Sequence, residues 1–212
     1  MWLPRGCDAR DDASAYGALL VAARVQGVRA ARWLERSRVD AGDAAAAERA
    51  LQCASAAYDA LRAADGGRVR LGPDHVLRID TDLILFDALC AVAPRRSVGD
   101  ERARWQRAAG AGERVAASFA RVLPLGLWPQ RALHWYRLAK VQRVCDAPRA
   151  ALRAAEAALP EFEQTHGALP VGDAALRPAT ASAARALCEL RELRREAEGA
   201  AQIAASRAAL LR

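Results

Sequence analysis

The sequence predicts an all-α fold of seven to eight antiparallel helices. Three observations carry that expectation. Alanine makes up about a quarter of the 212 residues and shares the composition mainly with Leu, Arg and Glu. These side chains lose little rotamer freedom in a helix. β-branched residues are sparse, and no window alternates as a half-buried strand must. Gly, Pro and Asp punctuate the chain at helix-sized intervals.

The first helix is expected from about Asp12 to Ser37, with Leu19, Leu20, Val25, Val28, Trp33 and Leu34 as its apolar positions. Gly42 ends the link and Asp43 caps a second helix, which carries Leu51, Cys53, Tyr58 and Leu61 and stops at Asp65-Gly66-Gly67. Arg68 to Pro73 reads as a loop. Asp74 is expected to cap a third helix, His75 to Ala93, the most apolar segment and hence the most central. Asp100 opens a fourth, through Trp105, Val115, Phe119 and Val122, weakened by Gly110 and Gly112. Leu123 to Gln130 holds two prolines and a glycine and cannot be helical throughout. Pro129 suits the first position of a fifth helix, which runs to Cys145 with apolar residues almost all round. Asp146-Ala147-Pro148 turns into a sixth, ending at Thr165-His166-Gly167, with Pro160 as a potential kink. A seventh, Ala179 to Glu198, places Leu187, Leu190 and Leu193 on one side. Ala200 to Arg212 is expected as a separate eighth. The domain reading is an irregular 1–11, a helical domain over 12–198 and a helical tail over 199–212.

The chain is long enough to bury roughly 70% of its unfolded surface, so neither metal nor disulfide is needed as a staple. The five cysteines, Cys7, Cys53, Cys90, Cys145 and Cys188, lie far apart, whereas zinc sites use close pairs. No metal and no cofactor are expected, and the thiols fit a reducing compartment, cytoplasm or nucleus. No apolar run reaches the ~18–20 residues of a membrane span, and MWLPRGCDARDD does not read as a signal peptide. The formal charge is +7. There is no Asn, Lys140 is the only lysine, and the arginines alternate with acids rather than forming a stripe, which argues against nucleic acid as a partner.

No pattern for catalysis emerges. His75, His134 and His166 are isolated, with His166 placed to favour a helix C-terminus, and no nucleophile–base pairing suggests itself. Asp74, Asp80, Asp82 and Asp87 on the third helix oppose Arg131, Arg137, Lys140 and Arg143 on the fifth in charge, so the two are expected to balance each other or line a groove. Trp128 and Trp135 form a candidate aromatic anchor, since Trp, Tyr and Arg dominate interface energetics.

Helix pairs recurring at roughly 40 residues have the rhythm of tetratricopeptide-like hairpins. In that register Ala139 occupies the tight crossing of helices five and six, opposed by Ala150 and Ala157. Tyr136, Lys140 and Arg143 then project from one face as a candidate groove for an acidic or C-terminal peptide.

The segment Ala132 to Gly167, with LAKVQ, the helix start Pro148-Arg149-Ala150 and the ending FEQTHG, resembles the C-terminal helical domain of the SET-and-MYND (SMYD) lysine methyltransferases. The similarity extends over about residues 20–197. It implies a tetratricopeptide-like, non-catalytic protein-interaction or docking module, which in that family flanks the catalytic cleft. An alternative is that the chain is the C-terminal part of a SET-domain lysine methyltransferase; a second is a basic nucleic-acid-binding helical protein. The family's N-H-S-C-x-P-N-like segment, cofactor loop and C-x-C-x₂-C cluster have no counterpart here, so S-adenosylmethionine chemistry is carried over to no residue.

Overall fold

The computed structural model describes residues 8–40, 43–66, 70–92, 98–123, 128–166 and 178–210. Among these the chain forms seven α-helices and no strand: α1 Asp8–Val39, α2 Ala44–Asp65, α3 Val76–Ala91, α4 Val98–Val122, α5 Pro129–Val144, α6 Pro148–His166 and α7 Pro178–Leu210. The helices fall into two compact units, 1–118 and 119–212, with the boundary inside α4.

Several ends follow from local chemistry. The Asp43 carboxylate accepts a hydrogen bond from the Ala46 amide at 2.9 Å, and Gly66 closes α2. The cap of α3 is His75 rather than Asp74: its Nδ1 accepts from the Leu77 amide at 3.2 Å. Pro129 starts α5 behind Trp128, whose extended backbone supplies the N-cap. Asp146, at φ 56°, makes the left-handed turn into α6, and α6 continues through Pro160.

Four further expectations are corrected. Residues 8–11 are helical, so α1 starts before Asp12. No separate eighth helix exists: α7 runs unbroken through Gly199 to Leu210, because one glycine costs only ~1 kcal/mol in a helix and no capping residue offers an alternative. Val25 and Val28 of α1 are exposed rather than buried. On α6 the buried alanines are Ala151, Ala154, Ala155 and Ala158, with Ala157 exposed. Leu159 and Phe162 are buried on that same face; they set the register, and the alanines follow. The loop expected at Leu123 to Gln130 lies, at 124–127, outside the described residues, as do Cys7, Gly67 to Arg68, and 167–177.

In the first unit, α1, α2 and α3 each pack on the other two. The α2 positions Ala47, Ala50, Ala54, Ala57, Leu61 and Ala64 alternate by three and four and are all buried, which gives one continuous seam. Ala23 and Ala30 of α1 are buried as well; small side chains let helix backbones approach closely. Phe86 and Leu89 of α3 are fully enclosed and fill the bulk of the core. Arg104, Ala108, Ala111, Val115 and Ser118 form the buried stripe of α4. In the second unit α5 packs on α6, α6 on α7, and α5 on α7. Leu138, Ala139 and Val141 of α5, the four α6 alanines, and Leu187, Leu190, Leu193 and Ala197 of α7 are its buried core.

Candidate functional site

Tyr136, Lys140 and Arg143 lie along the side of α5 that meets α7, four and three residues apart, so they occupy neighbouring turns. The leucine stripe of α7 buries its apolar side and leaves Glu189 and Glu196, seven residues apart, on the flank beside α5. The Tyr136 hydroxyl donates to Glu189 Oε2 in a short bond. Lys140 Nζ donates to the same carboxylate oxygen at 3.1 Å and to the Tyr136 hydroxyl at 3.3 Å. It also sits 5.2 Å from the centre of the Tyr136 ring. One turn further, Arg143 Nη1 donates to Glu196 Oε2 at 2.6 Å. The Tyr136 ring packs edge-on against Phe162 of α6, with centroids 6.0 Å apart. Both partnerships join residues 53 apart. A constant offset, rather than a constant sum, means that α5 and α7 run in the same direction.

These contacts set the protonation states. Burial, followed by the bond to Glu189, pushes the Tyr136 phenol above its ordinary range. Burial alone would lower the Lys140 ammonium, but its bonds to Glu189 and Tyr136 outweigh that and hold it above its usual value. The hydrogen bonds from Tyr136 and then Lys140 draw Glu189 down. Both donors are therefore held protonated, away from the range in which a lysine or tyrosine acts as base or nucleophile. Lys140, Arg143 and their glutamates are about half exposed, so these ion pairs contribute little stability individually. Beside Arg143 and Glu196, at the Asp146-Ala147-Pro148 turn, lies a depression of about 190 Å³ also lined by Ala151 and Ala197. That holds one side chain, well below the ~300 Å³ of a small-molecule site.

The expected opposition of α3 aspartates and α5 cations is not what pairs them. Asp82 is buried and accepts from Arg114 of α4 at 2.6 Å, and Asp87 pairs with Arg38 of α1 at 2.8 Å. Arg131 Nε donates to Glu161 of α6 at 2.6 Å, and Lys140 and Arg143 take the α7 glutamates. These pairs stay inside one unit each, between neighbouring helices for Asp82–Arg114 and Arg131–Glu161 and across one intervening helix for Asp87–Arg38, Lys140–Glu189 and Arg143–Glu196. The glutamates at 189 and 196 were missed by the sequence reading. Their spacing of seven, matching that of Tyr136 to Arg143, was the available signal.

Trp128 and Trp135 are both half-buried, one at the start of α5 and one within it. His134 is buried, with its ring edge-on to Phe119 at 5.6 Å. The side chain of His166 lies outside the described residues. Among the described residues, no group of three His, Cys, Asp or Glu could hold a metal, Cys53, Cys90, Cys145 and Cys188 are unbridged, and no helix is long and apolar enough to cross a membrane. Comparison with protein-family models, with curated proteins and with solved structures finds no match.

Proposed function

We propose that the chain is a non-catalytic protein-interaction module of the cytoplasm or nucleus, built as a tetratricopeptide-like array and resembling the C-terminal domain of SMYD methyltransferases. The observation that carries this reading is the parallel course of α5 and α7 with α6 packed on both. An antiparallel helix A–helix B–next helix A succession produces that relation. Tyr136, Lys140 and Arg143 then line the inner side of helix A. They hold two half-exposed cations against glutamates that a partner's carboxylates can replace, and the adjoining depression takes one partner side chain. The raised Lys140 and Tyr136 support binding over chemistry.

The test compares the wild type with a Lys140→Glu, Arg143→Glu double variant, by affinity capture from native lysate beside thermal melting. The reading expects the variant to lose a captured polypeptide while its melting falls by no more than a few degrees, since exposed pairs are worth ~0–1 kcal/mol each. Retention of every captured polypeptide at normal melting removes this groove from consideration.

A further inference from the structure

Between α1 and α3, within the first unit, lies an apolar groove of about 560 Å³. Its α1 wall carries Val21 and Val28, 64% and 49% exposed, and its α3 wall carries Val76, 66% exposed. Gly27 lies in its floor, where a Cβ would touch only Ile84 Cδ1, at 3.8 Å. With Val25, also exposed, the α1 valines form a row at positions i, i+4 and i+7 on the side opposite the buried Ala23 and Ala30. Val21, Val28 and Val76 lie on one groove rather than scattered, and contiguous exposed apolar surface of this kind is where association surfaces are found.

The charges on this groove are as informative as the valines. Arg24 stands on the α1 wall and Asp80 on the α3 wall. Elsewhere in the unit acids and arginines pair across helices, as in Arg38–Asp87, Arg78–Asp65 and Arg114–Asp82. Arg24 and Asp80 join neither one another nor any of these pairs. One cation and one anion on opposite walls of the same groove make the face complementary to itself. A two-fold axis running along the groove lays α1 of one copy on α3 of the other. It thereby sets each Arg24 over the partner's Asp80, and the pairing occurs twice, as a two-fold interface requires. A helical peptide ligand would need to supply an acid and a base of its own at that spacing, whereas a second copy supplies both.

We propose that this α1–α3 face is a self-association surface, whose occupant is the same face of a second copy of the chain. The footprint supports a dimer of modest strength. The 16 residues of α3 run about 24 Å, and two adjacent helices are roughly 20 Å wide, so each copy contributes on the order of 500 Å². The two together reach about 1,000 Å², the lower end of specific interfaces. The face belongs to the first unit alone and does not rest on the groove proposed for the second.

Sedimentation equilibrium over a wide concentration range tests it with the full chain. The expected result is a reversible rise from the 22.7 kDa monomer to twice that mass. Arg24→Asp and Asp80→Arg should each weaken the association at least ten-fold. The double variant, carrying both reversals, should recover most of it, because each reversed charge again meets its opposite across the axis. Val28→Glu, at an exposed position, should give monomer throughout with unchanged thermal melting. The inference is overturned by a monomer at every concentration, by a dimer indifferent to the single reversals, or by single reversals that weaken it without recovery in the double variant.

Discussion

Replacing Arg104 with methionine removes a guanidinium that is only 4% exposed and that finishes α3 rather than its own helix. Its Nη1 donates to the Leu89 and Val92 carbonyls, at 2.6 Å each. These belong to the last turn of α3, where helical carbonyls have no partner of their own. Its Nη2 bonds Glu101, and the guanidinium carbon stacks 4.3 Å from the Trp105 ring. Methionine keeps the aliphatic bulk and leaves two carbonyls unbonded, at about 1–3 kcal/mol each. Against this stands the relief of no longer burying a cation, worth up to several kcal/mol but partly cancelled by loss of the Glu101 pairing. Glu101 keeps its bond from the Trp105 indole N–H at 2.7 Å and so is not stranded. The balance is a net destabilisation of about 3 kcal/mol. With a urea slope of about 2 kcal/mol per molar, the midpoint should fall by about 1.5 M. Urea unfolding followed by tryptophan fluorescence reads it, since Trp105 sits beside the lost group. Arg104→Lys should fall between, because an ammonium lacks the planar fork. A methionine variant within about 0.5 M of wild type would show that burying the cation costs as much as its bonds return, and the capping explanation would be wrong.

Ala139 is completely buried, so Ala139→Leu overpacks α5 and should cost about 1–3 kcal/mol; an unchanged denaturant midpoint would place the site outside the packed interface. Asp146 adopts a left-handed turn at φ 56°, which favours glycine. Asp146→Gly should leave the melting temperature unchanged or raise it slightly, and a fall of several degrees would mean that the side chain matters more than the backbone. The folded Tyr136 phenol titrates above its ordinary value because of burial and then Glu189. Its contribution to stability is therefore present below pH ~10 and lost as pH rises through the folded value. Glu189 is lowered, so its contribution is present above its ordinary value near 4.5 and lost as pH falls through the folded one. Spectroscopic titration of tyrosinate should show the delayed transition, and Glu189→Gln should bring it back toward normal; no movement in that variant would remove Glu189 as a cause.

The helical class and most of the helix ends were legible because they depend on neighbours in sequence. Asp43 caps α2 through an amide three residues away, Gly66 ends it, and Pro129 starts α5; a local pattern suffices for each. Even here, choosing between the adjacent Asp74 and His75 as the cap of α3 needed the backbone geometry, since either side chain can accept from an amide two or three residues on. The Lys140 and Tyr136 face of α5 was legible from its spacing of four, but Glu189, which binds both, lies 53 residues from Tyr136 and was invisible to any local rule.

What the sequence by itself determined is the alphabet of the fold: all-helical, punctuated where Gly, Pro and Asp act on their own backbone, with Leu and Phe marking most core positions. What only the tertiary structure decided is which face each alanine turns inward and which acid each arginine meets. A quarter of the chain is alanine, which is compatible with any face of a helix, so the pattern over 150–158 admits several registers. Packing around Leu159 and Phe162 chose the one that buries Ala151, Ala154, Ala155 and Ala158. Arginine is likewise promiscuous: its long stem reaches many acids, and the choice of Asp82 for Arg114 or Leu89 and Val92 for Arg104 rests on which helix backbones come close. The exposed valines of α1 show the same division. Periodicity read Val25 and Val28 as apolar positions of a helix, and only the packing of α1 left them, with Val21, exposed.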